Sequence, residues 1–373
     1  MASTPELYDI LAERLVGGVV FVSVLMITGL IGNLHVLLVY MFRMKSSNHR
    51  IFILFLGVLD FLASCLAMPF TVITLRQPET FTKTPTCKLY WFVNYFLCSA
   101  SGLALLAIAI ERYRKICVPL GWQLTRRVAT LSCVIILLVT TATSWPVLIL
   151  VGTTTVPTAT PRITDSICAT ENKENYSAYQ IYYHIVLSLM VCPCFVALVV
   201  MYTLIWRVVR KYNALKQNRY KFIVSEASTE SDRKTSIKNS KEIILADSQE
   251  QNFNFERQSS RKLRTTDQNT ESNDRKKLDR AKKTTIAFIL ITVIFFISYM
   301  PYLILTILIY SKSITNQTPS EVVFVNIIRY TPYINNMANV FIYGCFDVKF
   351  RREVEKFYKN TGCWKWFREL RLQ

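Results

Sequence analysis

The sequence predicts an all-α membrane protein, a seven-transmembrane helix bundle followed by a short amphipathic eighth helix. Seven long apolar runs give this prediction: residues 15–41, 51–74, 89–110, 128–151, 180–206, 284–310 and 322–346. Each run is long enough to cross about 30 Å of hydrocarbon as a helix, and Asp60 and Arg329 are the only formally charged side chains within them. Because backbone amides in lipid must be paired within the segment, such runs form spanning helices. We number these spans one to seven.

The distribution of basic residues sets the predicted orientation. Most of the 44 Lys and Arg residues lie in segments that face the cytoplasm when the amino terminus is outside. The chain is then a multi-pass plasma-membrane protein with an extracellular tail at 1–14, a core at 15–346 and a cytoplasmic tail at 347–373. The acidic start of the chain predicts no cleavable signal peptide. Within the core, the polar residues 207–283 form a long third cytoplasmic loop that we expect to be largely disordered.

The formal net charge of +19 points to membrane lipid and an intracellular protein partner, and not to nucleic acid, because the charge lies mostly at the cytoplasmic membrane face. After the seventh span, apolar residues recur at helical spacing and predict an amphipathic helix on the inner membrane surface. These residues are Phe346, Phe350, Val354 and Phe357. Beyond them, Cys363 is either a palmitoylation site or an unmodified cysteine.

Four residues are notable on the predicted extracellular side. Cys87 and Cys168 are the two cysteines in the external segments, where disulfides persist, and we expect them to be bonded to each other. That bond would pin the second external loop over the outer end of the third span. Asn175 and Asn316 begin glycosylation sequons, which agrees with this orientation.

A set of motifs occurs in every span except the fourth. The most informative is Glu111-Arg112-Tyr113, which closes the third span at the cytoplasmic face. The others are Gly32-Asn33, Leu56, Asp60, Cys87, Pro119-Leu120, Pro193, the run 295–301, the run 339–343 and Phe350. With these residues the chain resembles the rhodopsin-like (class A) G protein-coupled receptors, and in particular peptide receptors. The resemblance implies an extracellular ligand, a heterotrimeric G protein as partner, and regulation by arrestin and receptor kinases.

The charge of Arg112 has a physical explanation in this family. A guanidinium at a membrane edge is costly unless it is paired, and Glu111 is an adjacent carboxylate. The resemblance implies that Arg112 leaves Glu111 and meets the G protein when the sixth span swings outward. The alternative is a basic residue that reaches from a helix end to water, which is common. Further residues with activation roles implied by the resemblance are Tyr113, Phe295, Tyr299, Pro301, Asn339 and Tyr343.

Several positions depart from the family pattern. Tyr299 stands where tryptophan is usual, and Val340 stands where proline is usual. The usual tyrosine of the fifth span falls on Met201, one residue before Tyr202. Ala281 replaces the acid that often pairs with the arginine of the third span, and this absence predicts appreciable ligand-free signalling.

Asp60 is the acid within a span, and an unpaired carboxylate there would be costly or would take up a proton. The resemblance supplies Ser101, Asn335 and Asn339 as partners, which in the family line a pocket for water and sodium. Sodium fits because the candidate ligands are oxygens. The alternative is a neutral, hydrogen-bonded Asp60 with water alone. Apart from this allosteric ion, no cofactor is predicted.

The predicted ligand pocket disfavours two ligand classes. Amine receptors of this family anchor the ammonium group on an aspartate of the third span, where this chain has Asn94. Retinal proteins need a lysine in the seventh span, where this chain has Tyr333. Arg329, near the outer end of that span, predicts a fork for a carboxylate, unless it reaches outward or pairs with Glu321. An aromatic wall is predicted nearby, although such residues are also ordinary packing groups: Tyr90, Trp91, Tyr95, Tyr182, Tyr302 and Tyr330.

We therefore predict a receptor for a neuropeptide or other short peptide. A small organic acid or lipid is the second ligand class. A seven-helix transporter or channel would also have these spans, but transporters generally show repeats with polar interruptions in both halves, and Asp60 has no counterpart in the second half. The sequence has no nucleophile motif, metal-ligand cluster or Gly-rich phosphate loop, and no enzyme is predicted.

Overall fold

The computed structural model describes residues 4–76, 84–157, 164–170, 174–241, 286–305, 308 and 319–359. Two compact units divide the chain, Met1–Tyr202 with Ile286–Gln373, and Thr203–Thr285. The first three spans contain α1 (Thr4–Phe42), α2 (Asn48–Leu62), a π-helical turn (Ala63–Ala67), α3 (Met68–Arg76) and α4 (Thr84–Cys117). The later helices are α5 (Arg126–Ser144), α6 (Val147–Leu150), α7 (Glu174–Lys241), α8 (Ile286–Leu305), α9 (Pro319–Arg329), α10 (Tyr333–Phe346) and α11 (Val348–Lys359).

The fold class predicted from the apolar runs is confirmed. Among the described residues, 6 helical segments are long and apolar enough to cross a membrane, and they correspond to the first six spans. The seventh span consists of α9 followed by α10. The short amphipathic helix is α11, in which Phe350 is buried while Lys349 and Arg352 are exposed. The molecule is therefore a multi-pass membrane protein.

Two helices extend beyond the predicted spans. The first helix begins at Thr4, within the residues predicted as the tail 1–14. The helix of the fifth span continues to Lys241, within the residues predicted as a largely disordered loop at 207–283. Both extensions contain good helix formers such as Leu, Glu, Lys and Arg, and lengthening an existing helix avoids the cost of a new nucleus. Residues 242–285 lie outside the described part of the chain.

The spans pack around a common apolar core and leave apolar faces on the outside. Leu56, Leu105 and Ile291, from three different spans, are buried in one cluster. Leu138 and Leu189 are large apolar side chains on the fourth and fifth spans that stay exposed. Exposed apolar faces of this kind suit contact with lipid.

The second span changes helical type shortly after Asp60. Pro69 has no backbone N–H, and in the turn before it the N–H of Met68 bonds to the carbonyl oxygen of Ala63 in a π-helical pattern. The same turn contains Ser64, whose hydroxyl donates to the carbonyl oxygen of Asp60 at 2.9 Å. The irregular turn therefore has its polar groups satisfied next to the buried acid.

The seventh span is broken between α9 and α10, where the apolar run predicted one continuous helix. Pro332 cannot donate a hydrogen bond, and the chain around it uses the tighter 3₁₀ pattern. The N–H of Thr331 bonds to the carbonyl of Ile328 at 3.2 Å, and the N–H of Tyr333 bonds to that of Tyr330 at 3.1 Å. A proline inside the apolar run is the sequence signal for this break.

A β-hairpin follows the fourth span and was not predicted. Its strands β1 (Val151–Pro157) and β2 (Thr164–Thr170) are antiparallel, with Thr153 opposite Cys168. At the base of the hairpin, Val151 shares an apolar cluster with Cys87 of α4. Cys87 is disulfide-bonded. That its partner is Cys168 stays a prediction, because the side chain of Cys168 is outside those that the structure describes.

Gly32 allows the first and seventh spans to approach closely. A Cβ atom on Gly32 would lie 2.8 Å from Cγ1 of Val340, whereas a Cβ atom on Gly344 would meet nothing within 4 Å. We expect Gly32→Ala to lower the free energy of unfolding by about 1–3 kcal/mol, because the spans must separate to admit the methyl group. Gly344→Ala is the control and should leave stability unchanged or slightly raised.

Thermal unfolding of the purified protein in detergent measures both effects. Adding Val340→Ala to the Gly32→Ala variant should restore part of the lost stability, since it removes the methyl groups that clash. Equal unfolding temperatures for Gly32→Ala and the wild type would contradict the close approach of the two spans.

Candidate functional site

Arg112 is buried near the carboxyl-terminal end of α4, which is the cytoplasmic end in the predicted orientation. Its Nε atom lies 3.0 Å from Oε2 of Glu111, and its side chain is only 3% exposed. Lys115, one turn further on, lies 3.9 Å from the other carboxylate oxygen. Nε forms no aligned hydrogen bond within the described part of the chain, so charge holds Arg112 and Glu111 together. A buried cation needs such a counter-charge, and Glu111 provides it.

His49 adds a hydrogen bond to this cluster that the sequence analysis missed. A terminal nitrogen of Arg112 lies 2.5 Å from Nδ1 of His49, at the start of α2. The imidazole meets the ring of Phe288 edge-on, with centroids 5.3 Å apart. Phe288 also packs against the guanidinium, with Cζ of Arg112 4.9 Å from its ring centroid. The cluster therefore joins α2, α4 and α8. A histidine at the inner end of the second span is the available sequence signal.

Tyr40 and Asp347 continue the cluster toward α1 and the start of α11. The hydroxyl of Tyr40 donates to Oδ2 of Asp347 at 2.7 Å. The Tyr40 ring stacks on Phe350 at 5.6 Å and lies 6.0 Å from the ring of Tyr343. Tyr343, a predicted activation residue, is buried, and its hydroxyl has no hydrogen-bond partner among the described residues. Tyr113, predicted with it, is only partly buried.

Tyr202 is the inward-facing tyrosine of the fifth span. Its side chain is buried, and its hydroxyl lies 3.1 Å from that of Thr292 on α8. It is also close enough to Arg112 for the two groups to interact electrostatically. Met201, at the position given by family spacing, is partly buried. The buried tyrosine of the fifth span therefore lies one residue after the position given by family spacing.

A polar cluster surrounds Asp60 midway along the spans. Nδ2 of Asn339 donates to Oδ2 of Asp60 at 2.7 Å. Nδ2 of Asn33 lies 2.9 Å from each of the carbonyl oxygens of Gly29 and Asn336. Other buried polar atoms of this cluster lack a hydrogen-bond partner among the described residues: Oδ1 of Asn33, Asp60 and Asn339, and both amide atoms of Asn335.

These unpaired atoms test whether the cluster fits a sodium ion. The predicted ligands Asp60, Ser101, Asn335 and Asn339 are all buried. Asp60, Asn335 and Asn339 each carry a side-chain oxygen without a partner in the described structure. Oxygen atoms are the ligands that hard cations prefer, so the donor set fits the ion. Among the described residues, no group of three or more His, Cys, Asp and Glu side chains is arranged to hold a metal.

A hydrogen-bonded network joins the second, third and seventh spans. The Tyr333 hydroxyl lies 2.7 Å from Oδ1 of Asn94 and 2.7 Å from Oγ1 of Thr71. Oγ1 of Thr71 lies 3.2 Å from the hydroxyl of Tyr90, and Nδ2 of Asn94 donates to the carbonyl oxygen of Tyr90 at 2.9 Å. The structure thus brings three predicted site residues together. Thr71 was missed, because a threonine in an apolar run gives no distinct signal.

Aromatic rings line the same region. Tyr330 stacks on Tyr333 with centroids 6.1 Å apart. Trp91 lies 5.7 Å from the ring of Tyr90 and 6.1 Å from that of Tyr95. Nε1 of Trp91 is buried without a hydrogen-bond partner among the described residues. These rings form the aromatic wall that the sequence predicted for the third and seventh spans.

Tyr182 is 69% exposed on α7, and its contact with a ligand stays a prediction. Its neighbour Tyr183 packs against Tyr95 at 6.2 Å, and its hydroxyl donates to the carbonyl oxygen of Thr143 at 2.8 Å. Successive residues of a helix point about 100° apart, so a shift of one position exchanges an inward side chain for an outward one. Tyr183 is therefore the tyrosine of this pair that packs against the third span.

Arg329 ends α9 with an exposed side chain. It is close enough to the hydroxyls of Tyr90 and Tyr330 to act on them electrostatically. Tyr302 of α8, which is partly buried, interacts with Tyr330 as well. An exposed guanidinium beside tyrosine hydroxyls can offer two parallel donors to a carboxylate.

Tyr299 connects α8 to the third span. Its hydroxyl is close enough to the thiol of Cys98 for the two groups to interact electrostatically, and its ring lies 4.4 Å from that of Phe295. A tryptophan at this position would lack that hydroxyl. Pro301 lies two residues further along α8 and removes a backbone N–H from the helix. The contact between α4 and α8 therefore lies next to a weakened turn.

The predicted modification sites stay predictions. Asn175 belongs to α7 by its backbone, but its side chain is outside those described. Asn316 and Cys363 are outside the described residues.

The chain matches the family described as 7 transmembrane receptor (rhodopsin family) over residues 32–343. It belongs to this family, as the motifs predicted. It is 36% identical over 104 residues to neuropeptide Y receptor type 6 of Mus musculus, covering 27% of this chain and 28% of that receptor. It is 31% identical over 128 residues to trace amine-associated receptor 365 of Petromyzon marinus, covering 34% of each. It is 31% identical over 174 residues to growth hormone secretagogue receptor type 1 of Mustela putorius furo, covering 45% of this chain and 47% of that receptor. Each of these matches spans less than half of the relative.

Tyr182 and Tyr183 form a matched pair for testing the fifth span. Tyr183→Ala removes a packed ring and a hydrogen bond to Thr143, and we expect it to lower the free energy of unfolding by about 3 kcal/mol. Tyr182→Ala changes an exposed position, and its effect should stay within about 0.5 kcal/mol. Thermal unfolding in one detergent compares the two variants. A larger loss for Tyr182→Ala would reverse the assignment of the two faces.

Proposed function

We propose that the protein is a plasma-membrane receptor with its amino terminus outside, which binds an extracellular peptide and activates a heterotrimeric G protein. The buried pair of Arg112 and Glu111 at the cytoplasmic end of α4 carries this proposal. A buried ion pair often contributes little net stability, so packing alone is a weak reason to keep one at a membrane edge. An exchange of partners, in which Arg112 leaves Glu111 for the G protein, explains why a buried ion pair is present at this position. Arrestin, receptor kinases and inner-leaflet lipid are further partners under this proposal.

The release of Arg112 requires movement of α8. Phe288 covers the guanidinium from that helix, so a G protein reaches Arg112 when the inner end of α8 has moved outward. Tyr202 and Tyr343 interact electrostatically with Arg112 and offer hydroxyl oxygens to it once Glu111 is released. These hydroxyls would stabilise the freed cation while the cytoplasmic face is open.

Ligand binding reaches α8 through Tyr299. Its hydroxyl interacts electrostatically with the thiol of Cys98 on α4, and its ring packs on Phe295, which lies one turn closer to the cytoplasm. A ligand that displaces Tyr299 removes this contact between α4 and α8. The ligand favours the open face only if it binds that arrangement more tightly than the closed one.

A peptide fits the outer cluster best. Arg329 offers a fork for a C-terminal carboxylate or an acidic side chain, and nearby tyrosines offer hydroxyls and ring faces. The relatives named for neuropeptide Y and for growth hormone secretagogue support this class. An amine fits less well despite the trace amine-associated relative, because Asn94 is uncharged and its amide is bonded to Tyr333 and Tyr90. An organic acid or anionic lipid is the second candidate, since Arg329 would bind its carboxylate too.

Sodium is the allosteric ion of this proposal. Asp60, Ser101, Asn335 and Asn339 would hold it, and the ion would supply the positive charge that a carboxylate within the spans lacks. Asp60 would stay ionised with the ion present, because a nearby cation favours the charged form.

Unfolding temperature tests the sodium site without any ligand. In NaCl the wild type should be about 1 kcal/mol more stable than in KCl of equal ionic strength, because a bound ion stabilises the folded state. Asp60→Asn should abolish that difference. Thr140→Val, which changes a buried polar residue of α5, is the control and should retain it. Equal stability of the wild type in the two salts would exclude a sodium-specific site.

Ligand screening tests the peptide assignment. Cells that express the chain with second-messenger reporters are screened with a pooled library of neuropeptides, amines and organic acids. We expect saturable activation by a peptide, and Arg329→Ala should raise the half-maximal concentration about tenfold or more. Arg76→Ala, an exposed arginine at the outer end of α3, is the control and should leave the response intact.

The other outcomes of this screen would change the ligand class or the function class. Activation by an amine that survives Arg329→Ala would overturn the peptide class. Activation by an organic acid, lost in Arg329→Ala, would favour the second candidate. Ion currents without any second-messenger response would replace the receptor with a channel or transporter.

A further inference from the structure

We propose that His49 is a positioning residue that holds Arg112 in the closed state and thereby limits ligand-free signalling. This inference rests on the proposed G protein activation. It assigns to α2 the restraint that the family often places on the sixth span, where this chain has Ala281, a residue outside the described part.

Neutralising the charge of Arg112 and restraining its position are two different roles. Glu111 neutralises the guanidinium, but it is the adjacent residue on the same helix, so it moves wherever Arg112 moves. His49 lies on another helix and accepts a hydrogen bond from Arg112 at 2.5 Å. A bond between helices restrains their relative position, whereas a bond within one helix does not. His49 therefore ties α4 to α2.

Phe288 of α8 lies beside the hydrogen bond between Arg112 and His49. Its ring packs against the guanidinium of Arg112 and meets the imidazole of His49 edge-on. The same aromatic side chain of α8 thus contacts both members of the hydrogen bond. Outward movement of α8 removes Phe288 from both residues and exposes their bond to water, which weakens it. The bond and the closed position of α8 support each other.

The acceptor of this hydrogen bond is Nδ1 of His49. Nδ1 of a histidine accepts a hydrogen bond only when it carries no proton, so His49 acts here as a neutral acceptor. A neutral acceptor avoids the cost of a second buried carboxylate and gives a weaker restraint than an ion pair. A G protein can therefore displace it at a smaller cost than a salt bridge between helices.

Hydrogen bonds to the end of α1 hold the start of α2, where His49 lies. Ser47 caps the start of α2 by accepting the N–H of Arg50 at 3.3 Å. The Arg50 side chain donates from Nε to the carbonyl of Tyr40 and from a terminal nitrogen to that of Met41, each at 2.6 Å. The start of α2 is thus fixed to the end of α1. This support places His49 on elements that do not include α8.

Guanine-nucleotide exchange without ligand tests the inference. The full-length protein is reconstituted in lipid nanodiscs with a panel of heterotrimeric G proteins, one of each class, and a labelled non-hydrolysable GTP analogue. His49→Phe keeps a ring against Phe288 but has no acceptor, and we expect its ligand-free exchange to rise about tenfold. His49→Gln keeps an acceptor oxygen and should stay close to the wild type. His35→Phe changes a histidine of α1 that stacks on Tyr358, and it should also match the wild type.

The controls separate a failure of this inference from a failure of the proposed function. Arg112→Ala gives the background rate. Wild-type exchange above that background, unchanged in His49→Phe, would overturn the role of His49. Exchange at background for every variant with every G protein would count against G protein activation itself, and then against the restraint that depends on it. Equal rises of ligand-free exchange in His49→Phe and His49→Gln would show that the shape of the side chain matters and the hydrogen-bond acceptor does not. That result would also overturn the inference.

A spectroscopic measurement on the wild type covers the case in which His49→Phe fails to fold. Nitrogen NMR of histidine-labelled protein distinguishes the three imidazoles, with His49→Gln giving the assignment. The inference predicts an unprotonated, hydrogen-bonded Nδ1 on His49 that changes when nucleotide-free G protein binds. A protonated Nδ1, or a signal that does not respond to the G protein, would overturn it.

Discussion

The buried ion pair of Arg112 and Glu111 is the interaction on which the cytoplasmic half of the bundle depends. Lipid offers no hydrogen bonds, so each polar group within the spans needs a partner inside the protein. The guanidinium is enclosed by Glu111 of its own helix, His49 of α2 and Phe288 of α8. A single cation therefore determines which helix ends must meet at this level. Under the proposed function, separation of these helices requires a new partner for Arg112, and that requirement would link opening to the arrival of a second protein.

The same requirement creates two more polar layers, one around Asp60 and one around Tyr333. The helix α10 of the seventh span contributes to every layer, because it carries Tyr333, Asn339 and, near Arg112, Tyr343. The break before α10 separates these residues from Arg329 on α9. The proposed ligand contact of Arg329 and the internal polar layers thus lie on different helices of one span.

The seven spans were predictable because lipid imposes a length and an apolar composition that few other structures share. Asp60 was predictable as well, since charges in such runs are rare, and Arg112 was predictable from the Glu111-Arg112-Tyr113 motif that closes the third span. The break at Pro332 was visible in principle but lost within a continuous apolar run. The sequence could not show that Tyr183, and not Tyr182, faces inward. Both faces of a membrane helix meet apolar surroundings, and the hydropathy of the fifth span barely differs from one face to the other. His49 was missed for another reason: its partner is distant along the chain, and only packing brings the second and third spans to that contact.

The most direct test of the account is a distance across the cytoplasmic face. Spin labels at Arg127→Cys, at the exposed start of α5, and Ile286→Cys, at the start of α8, report the separation of the two helix ends by electron paramagnetic resonance. Binding of nucleotide-free G protein should move the distance distribution several ångströms longer, because α8 must leave Arg112 for the G protein to reach it. An unchanged distribution with the G protein bound would contradict the claim that opening of this face exposes Arg112.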